Sequence, residues 1–306
     1  MAGAVEAEHG TRGDTADEVD PPFVAQDGWL TRTDQLSRVI YWGIHASVLL
    51  VLVVGAPIEA VLLCAATYLV RVFGITGGYH RYFAHRSYKT GRVFQFVLAW
   101  LGCSATQKGP LWWSGTHRLH HRYSDQPGDP HSPTEGFWHA HQGWIFEPRW
   151  GGTPADVIPD FARYPELEWM NRWHFVPPLT LALLCWWIAG LAGLVWGFAV
   201  STTLLWHGTY CVNSLCHIWG TRPYETSDGS RNNLFVALLT LGEGWHNNHH
   251  YYQASARNGF RWWEIDVTYY VLKGLEAVGL VSDLREPPTS VLENTRGAER
   301  KSAPAA

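Results

Sequence analysis

The chain is poor in charge: Asp, Glu, Lys and Arg make up 16% of its 306 residues, against about a quarter in an ordinary soluble domain. The formal net charge of −4 leaves no basic footprint for nucleic acid. Cysteine is sparse too. Cys64, Cys103, Cys185, Cys211 and Cys216 all sit in apolar surroundings, with no C-x-x-C pair among them. That spacing argues against a secreted disulfide framework and predicts buried, reduced thiols. There is no glycine-rich nucleotide loop and no internal repeat beyond one duplicated motif. Residues 1–27 have no basic n-region, no apolar run and no periodicity, so a flexible polar tail is expected there rather than a signal peptide.

The apolar residues are concentrated in two blocks. VIYWGIHASVLLVLVVGAP is about as long as the roughly 20 residues that cross a bilayer core. IEAVLLCAATYLVRVFGITGG follows at once, with a break near Gly55-Ala56-Pro57 that suits a tight helical hairpin. FVPPLTLALLCWWIAG and LVWGFAVSTTLLWHGTYCVNSL, joined by Gly-Leu-Ala-Gly, predict a second hairpin. The expected spans are about 38–56, 58–76, 174–190 and 194–213. Neither hairpin tip carries Lys or Arg, and apart from Arg71 every basic residue falls in 1–38, 81–172 or 219–306. The positive-inside rule makes that side cytoplasmic, both termini included. VFQFVLAWLGCSA is too short to span and reads as an interfacial or buried helix. The expectation is an all-α membrane protein of four transmembrane helices in two hairpins, capped by a cytosolic helical domain. A single domain would run over 28–285, with cytosolic regions 77–173 and 214–285 and a disordered tail from 286 to 306.

Histidines organise those cytosolic regions. His117-Arg118-Leu119-His120-His121 and His246-Asn247-Asn248-His249-His250 both read H-x-x-H-H. Positions i, i+3 and i+4 share one helix face, so each box aims three imidazoles into one volume. His80 and His85 are five apart, a turn of about 500° on an α-helix, so their rings diverge unless the helix ends between them. Neutral imidazole is the commonest protein metal ligand, and three such clusters read as a metal signature. Imidazole accepts Fe, Ni, Cu or Zn alike. No Glu-x-x-His pair of the soluble di-iron bundles is present. Asp125, Asp129 and Glu243 are candidates to fix histidine tautomers. Trp112, Trp113, Trp245, Trp262 and Trp263 are candidates to wall a narrow, dry channel.

Four stretches, GITGGYHRYFAHRSYKT, HRLHHRYSDQPGDPHS, NSLCHIWGTRPYE and GEGWHNNHH, resemble the membrane fatty acyl desaturases of the stearoyl-CoA Δ9 type, including bacterial acyl-CoA desaturases, over roughly residues 40–282. The resemblance implies two irons beneath four membrane helices. By position, one iron takes His80, His85, His117, His121 and His250. The other takes His120, His217, His246 and His249, with Asn213 holding a water. His217 enters through the resemblance alone. Tyr68 matches the bulky side chain that closes the acyl tunnel, and Trp113 and Trp262 are expected along it.

The implied reaction is O2-dependent insertion of a cis double bond, Δ9 by resemblance, into a saturated acyl chain. It consumes two external electrons, so a separate donor of cytochrome b5 or ferredoxin–reductase type is expected as a partner. Animal acyl-CoA members carry an Arg-Asp pair just before the first H-x-x-H-H box, whereas here Gly115 and Thr116 stand there. Acyl-CoA is the first carrier to consider, with acyl carrier protein or a phospholipid open. A related lipid hydroxylase and a non-enzymatic membrane metal-binding protein are the alternatives.

Overall fold

The computed structural model describes residues 28–294; the expected N-terminal tail, residues 1–27, and residues 295–306 lie outside the described residues. Among the described residues, three helical runs are long and apolar enough to cross a membrane: Gln35–Val54, Ile58–Ala84 and Val176–Ile218. Gly55 joins the first two with a φ of 67°, a left-handed conformation that glycine adopts without a Cβ penalty. Pro57 follows at the mouth of the next helix, where its missing N–H breaks no ladder.

The third run has 43 residues. Unbroken, it would extend about 65 Å, twice a hydrocarbon core. It is broken at Ala189 (φ −139°) and Gly190 (φ 56°), which leave helical geometry where the expected turn begins. The returning limb packs on the Ile58 helix. Thr67 Oγ1 donates to Gly197 O at 2.7 Å, and Trp196 Nε1 donates to Gly55 O at 2.8 Å. Arg71, the one basic residue out of place in the charge pattern, is 1% exposed. Its guanidinium donates to Thr67 O, Ser104 O, Thr202 Oγ1 and the Ser201 hydroxyl. Neutral oxygens from three helices therefore satisfy a buried cation.

The Ile58 helix does not end at Thr76. From Gly74 to Ala84 it continues as π-helix, with bonds of the i→i+5 kind such as His85 N to His80 O at 3.1 Å. The widened turn brings residues five apart onto one face, so the rings of His80 and His85 meet at a centroid distance of 4.7 Å rather than diverging. Such π segments are rare and cluster at functional sites.

The short apolar helix Arg92–Ser104 packs beneath, with Leu98, Ala99 and Cys103 fully buried in the main core. Pro110–Tyr123 carries the first histidine box and His246–Tyr251 the second. All five cysteines are free, four of them buried and Cys211 half-buried. Two details depart from an all-α chain with a loose end. Lys89–Thr90 and Val281–Ser282 form a small antiparallel ribbon. Residues 289–294, inside the expected tail, are helical, and Asn294 donates to the Tyr251 hydroxyl. Helix Val267–Ala277 is capped by Asp266, whose Oδ1 accepts from Tyr269 N at 3.0 Å. It lies across the π segment, where the Thr76 and Thr268 hydroxyls are 2.8 Å apart.

Candidate metal centre

Two sets of imidazoles converge below the spans. In the first, Nε2 atoms meet at 3.0 Å in four successive contacts: His80–His249, His249–His121, His121–His117 and His117–His85. The second holds His120, His217, His246 and His250, with the Nε2 atoms of His217 and His246 at 3.0 Å. The Nε2 atoms of His120 and His250 are buried with no hydrogen-bond partner.

Each box feeds both sets. His117 and His121 join the first and His120 the second, while His246 and His250 join the second and His249 the first. Positions i+3 and i+4 lie on opposite sides of position i, about 100° apart around the axis. A helix running between two centres therefore gives its i, i+4 pair to one and its i+3 residue to the other. This corrects the positional carry-over, which had exchanged His249 and His250, and also the expectation that each box fills one volume.

Four of the outward nitrogens are held by carboxylates. His120 Nδ1 lies 2.9 Å from Asp129, His217 Nδ1 3.1 Å from Asp125, and His80 Nδ1 2.6 Å from Glu243. These are the three acids singled out in the sequence. A fourth, Asp228, lies 2.6 Å from His250 Nδ1. It sits in the turn Thr226–Ser230, where its Oδ1 accepts from Ser230 N at 3.0 Å, and no spacing ties it to the box. Carboxylates on Nδ1 fix the tautomer that leaves Nε2 bare and facing inward. The box helix His246–Tyr251 is itself pinned by its two asparagines. Tyr224 N donates to Asn247 Oδ1 at 2.9 Å, and Asn248 Nδ2 donates to Glu264 at 2.7 Å.

Electrostatics keep most of these rings neutral. Burial, with neighbouring imidazoles adding to it, holds His85, His117, His121, His246 and His249 well below the usual histidine range. Burial also pulls His250 down to about 4, against the pull of Asp228. Burial pushes Asp129 up, but the His120 ring outweighs it and leaves the carboxyl well below its ordinary value.

Hydrogen bonding alone does not account for this arrangement. One Nε2 offers one in-plane lobe, either N–H or lone pair, so a nitrogen meeting two others cannot make both contacts well. A cation at the centre removes the conflict. Nitrogens about 2.1 Å from a common ion lie about 3.0 Å apart at right angles and about 3.4 Å apart in a tetrahedron. The observed 3.0 Å contacts fit the former, so the five-ring set suits a metal of higher coordination than structural zinc.

A cavity opens beside the imidazoles, and His80, His117, His246, Asn213, Trp112 and Trp113 are among the residues that line it. Trp113 is thus one of the residues that wall this cavity. Asn213 is on the cavity wall one turn before His217. Trp262 does not line it: the ring is 83% exposed. Tyr68 is not in the lining either. Its hydroxyl donates to Leu239 O at 2.7 Å, and a Cβ on Gly208 would come within 3.4 Å of that hydroxyl and 4.0 Å of the cavity residue Thr240. His131, which the sequence did not single out, is buried against the His120 ring at 4.2 Å and faces the same cavity.

Comparison with known proteins places this centre in a lineage. The sequence model of the fatty acid desaturase family matches residues 28–277. An acyl-CoA C20 Delta5-desaturase from Anemone leveillei is 42% identical over 234 residues, covering 73% of each chain. A palmitoyl-monogalactosyldiacylglycerol delta-7 desaturase of chloroplasts from Arabidopsis thaliana is 39% identical over 75% of this chain and 63% of its own length. The same plant's Delta-9 acyl-lipid desaturase 1 is 39% identical over 73% of this chain and 74% of its own. With that match running through both boxes and the spans above them, the chain belongs to the fatty acid desaturase family, as an oxidoreductase that desaturates fatty acids.

Proposed function

We propose that the chain is an O2-dependent di-iron desaturase that introduces a cis double bond at Δ9 into a saturated acyl chain. The observation that carries this reading is the pair of imidazole sets, five and four rings, opening onto one aromatic-walled cavity. The ligands would be His80, His85, His117, His121 and His249 for one iron, and His120, His217, His246 and His250 for the other, with Asn213 holding a water. When bound, two irons would supply the redox chemistry with O2 that removal of hydrogen from an unactivated methylene requires.

The chain's own residues do the rest. Asp125, Asp129, Asp228 and Glu243 orient the rings, and Trp112, Trp113 and Trp144 exclude bulk water from the reacting carbons. Two electrons come from a separate cytochrome b5-like or ferredoxin-type donor. Fatty-acid profiling of a desaturase-deficient host expressing the chain tests the reading. Loss of two hydrogens supports it, gain of one oxygen indicates a hydroxylase, and an unchanged profile with donor supplied overturns it.

The first-choice carrier is acyl-CoA, in line with the name of the Anemone relative, while the Arabidopsis relatives are named for lipid-borne chains. At the position where animal acyl-CoA members place an arginine, a Cβ on Gly115 would stand 2.7 Å from the Pro154 ring. A CoA head group would therefore have to be held by other residues.

The proposed topology is four spans, with the long third run counted as two, and a cytosolic metal domain. A cysteine placed at Gly55 is expected to react with an impermeant reagent from outside, and one at Ser302 only after permeabilisation. The reverse labelling would defeat the orientation. Tyr68 is proposed as the floor of the acyl tunnel, adjoining the cavity at Thr240. Tyr68→Ala is expected to shift product preference towards longer chains. Equal loss of activity at every chain length would make it a packing residue.

A further inference from the structure

Two helices outside the spanning runs present apolar side chains to their surroundings. The short helix Leu234–Leu239 is capped by Asn233, whose Oδ1 accepts from Val236 N at 3.1 Å. Its Leu234, Phe235 and Leu238 are exposed, while Val236 and Ala237 are buried on the opposite side. From Asn233 to Gly242 the chain carries no charge. Helix Val267–Ala277 continues the pattern. At about 100° per residue, Val267, Val271, Gly274 and the cap residue Val278 share one exposed stripe, with Tyr270 and Ala277 along its flank. Thr268, Tyr269 and Leu272 are buried on the other side. No charged side chain falls within the stripe; Lys273 stands at its edge, 2.7 Å from Glu276. Trp262, Trp263 and Ile265 precede this helix and are exposed as well.

Both helices are tied to the spanning runs at known heights. The Thr76 and Thr268 hydroxyls lie 2.8 Å apart, so the start of helix Val267–Ala277 is level with Thr76, where the expected second span closes. Tyr68 stands eight residues nearer the hairpin tip, about 12 Å along the axis at 1.5 Å per residue. Its hydroxyl donates to Leu239 O, which places the end of helix Leu234–Leu239 that much deeper than Thr268. The last run packs on the same short helix. Thr268 N donates to Leu241 O at 2.9 Å and joins the two helices into one surface. Backbone that leaves helical form at such depth must have its polar groups paired. Here Thr240 N donates to Val236 O at 2.9 Å and Gly242 N to Ala237 O at 2.8 Å, while Leu239 O and Leu241 O accept the bonds already named.

We propose that the outer faces of Leu234–Leu239 and Val267–Ala277 are a lipid-contact surface, the first helix dipping into the leaflet on the metal-centre side and the second lying along its interface. The proposal rests on the reading of the apolar runs as membrane spans. Given those spans, the bilayer is the occupant continuous with the surface. Leu69, beside Tyr68 on the second run, is exposed, so the acyl chains that bathe it reach Leu238 at the same depth. Trp262, Trp263 and Tyr270 are of the kinds that collect where hydrocarbon meets head groups. The border is basic: Arg261 lies 5.1 Å from the centre of the Trp263 ring, and Lys273 can lay its stem on the stripe with the ammonium in water. Residues 1–27 and 295–306 carry no apolar run of a length to cover the surface.

The surface brings the leaflet close to the metal centre. Thr240 lines the cavity from the buried side of the short helix, and Leu238, two residues earlier, is 61% exposed on its outer side. One short helix therefore separates the cavity from hydrocarbon. Together the two helices seat the metal domain at a fixed height on the bilayer.

The test uses the full-length chain in phosphatidylcholine nanodiscs, with the photo-crosslinker p-benzoylphenylalanine placed at Leu238 or at Val271. Both positions are exposed, so the larger side chain displaces no core. Leu62, exposed on the second run, is the lipid-facing control, and Gln126, exposed in the loop after the first histidine box, is the water-facing one. On irradiation, Leu238→p-benzoylphenylalanine and Val271→p-benzoylphenylalanine are each expected to gain the mass of one phosphatidylcholine, in yield comparable with Leu62, while Gln126 gains none. Fragmentation should place the Leu238 adduct further down the acyl chain than the Val271 adduct. Adducts at equal depth would overturn the dipping helix. A linked pair of chains in place of the lipid adduct would make the surface a contact between copies and overturn the proposal. So would a missing lipid adduct at either position with Leu62 labelled. If Leu62 captures no lipid either, the spanning reading fails, and this inference falls with it.

Discussion

Replacement of His249 or of His120 by alanine is expected to abolish desaturation while leaving a folded membrane protein. Each residue belongs to a different imidazole set, so each variant should lose a different metal and retain the other. Both side chains are 1% exposed, and the space vacated lies beside an existing cavity, so the fold has little reason to collapse. Asp228→Asn provides the contrast. It removes the carboxylate 2.6 Å from His250 Nδ1 but no ligand, and losses at such supporting positions run to about 10–100-fold in metal affinity or activity. Elemental analysis of the purified variants, paired with product assays, reads both effects. Full iron in His249→Ala, or wild-type turnover in either alanine variant, would defeat the ligand assignment.

The second large effect is expected at Arg81, one residue from a ligand but facing away from it. Its guanidinium is fully buried and bonds Glu243 at 2.9 Å, Asp266 at 3.0 Å and Ala256 O at 2.7 Å. Glu243 in turn holds His80, and Asp266 caps the helix across the π segment. Arg81→Met removes the only positive charge among these contacts and leaves two carboxylates facing one another out of water. Breaking a buried pair in this way costs about 3–5 kcal/mol, a large share of the roughly 5–15 kcal/mol that holds a protein folded. The variant should therefore lose its cooperative thermal transition in detergent, or shift it downward by many degrees, with iron content falling as a consequence. Arg81→Lys should recover only part of the loss, because an ammonium cannot reproduce the fork. An unchanged transition in Arg81→Met would mean that Glu243 and Asp266 are neutralised by other means.

Periodicity made the apolar hairpins and the duplicated box legible, because both are local patterns that the backbone converts directly into faces. The hairpin tips followed from Gly55 and Gly190, where only a residue without a Cβ takes a left-handed φ cheaply. What the sequence could not supply was orientation. Spacing places His249 and His250 on neighbouring faces, but which centre each face meets depends on how the short helix is docked, and that is set by Asn247 and Asn248. The His80–His85 pair looked divergent because α-helical winding was assumed where the chain is π-wound. Trp262 carries the composition of a tunnel wall, yet tertiary placement turns it outward. Asp228 was illegible for another reason. Its partner His250 stands 22 residues on, with no helical spacing or repeat to announce the pair.

The crossed docking of the two boxes would also determine how far apart ions held in the two sets lie. Neither set includes a carboxylate that could reach across and tie the ions together. Their separation would instead be written into helical pitch, as the offset between positions i+3 and i+4 on two short rigid rods. Such a ruler neither stretches when a bridging atom comes or goes nor shortens when the ions change charge. Throughout a catalytic cycle the protein would then hold the gap constant, and whatever occupies it must adapt to the protein.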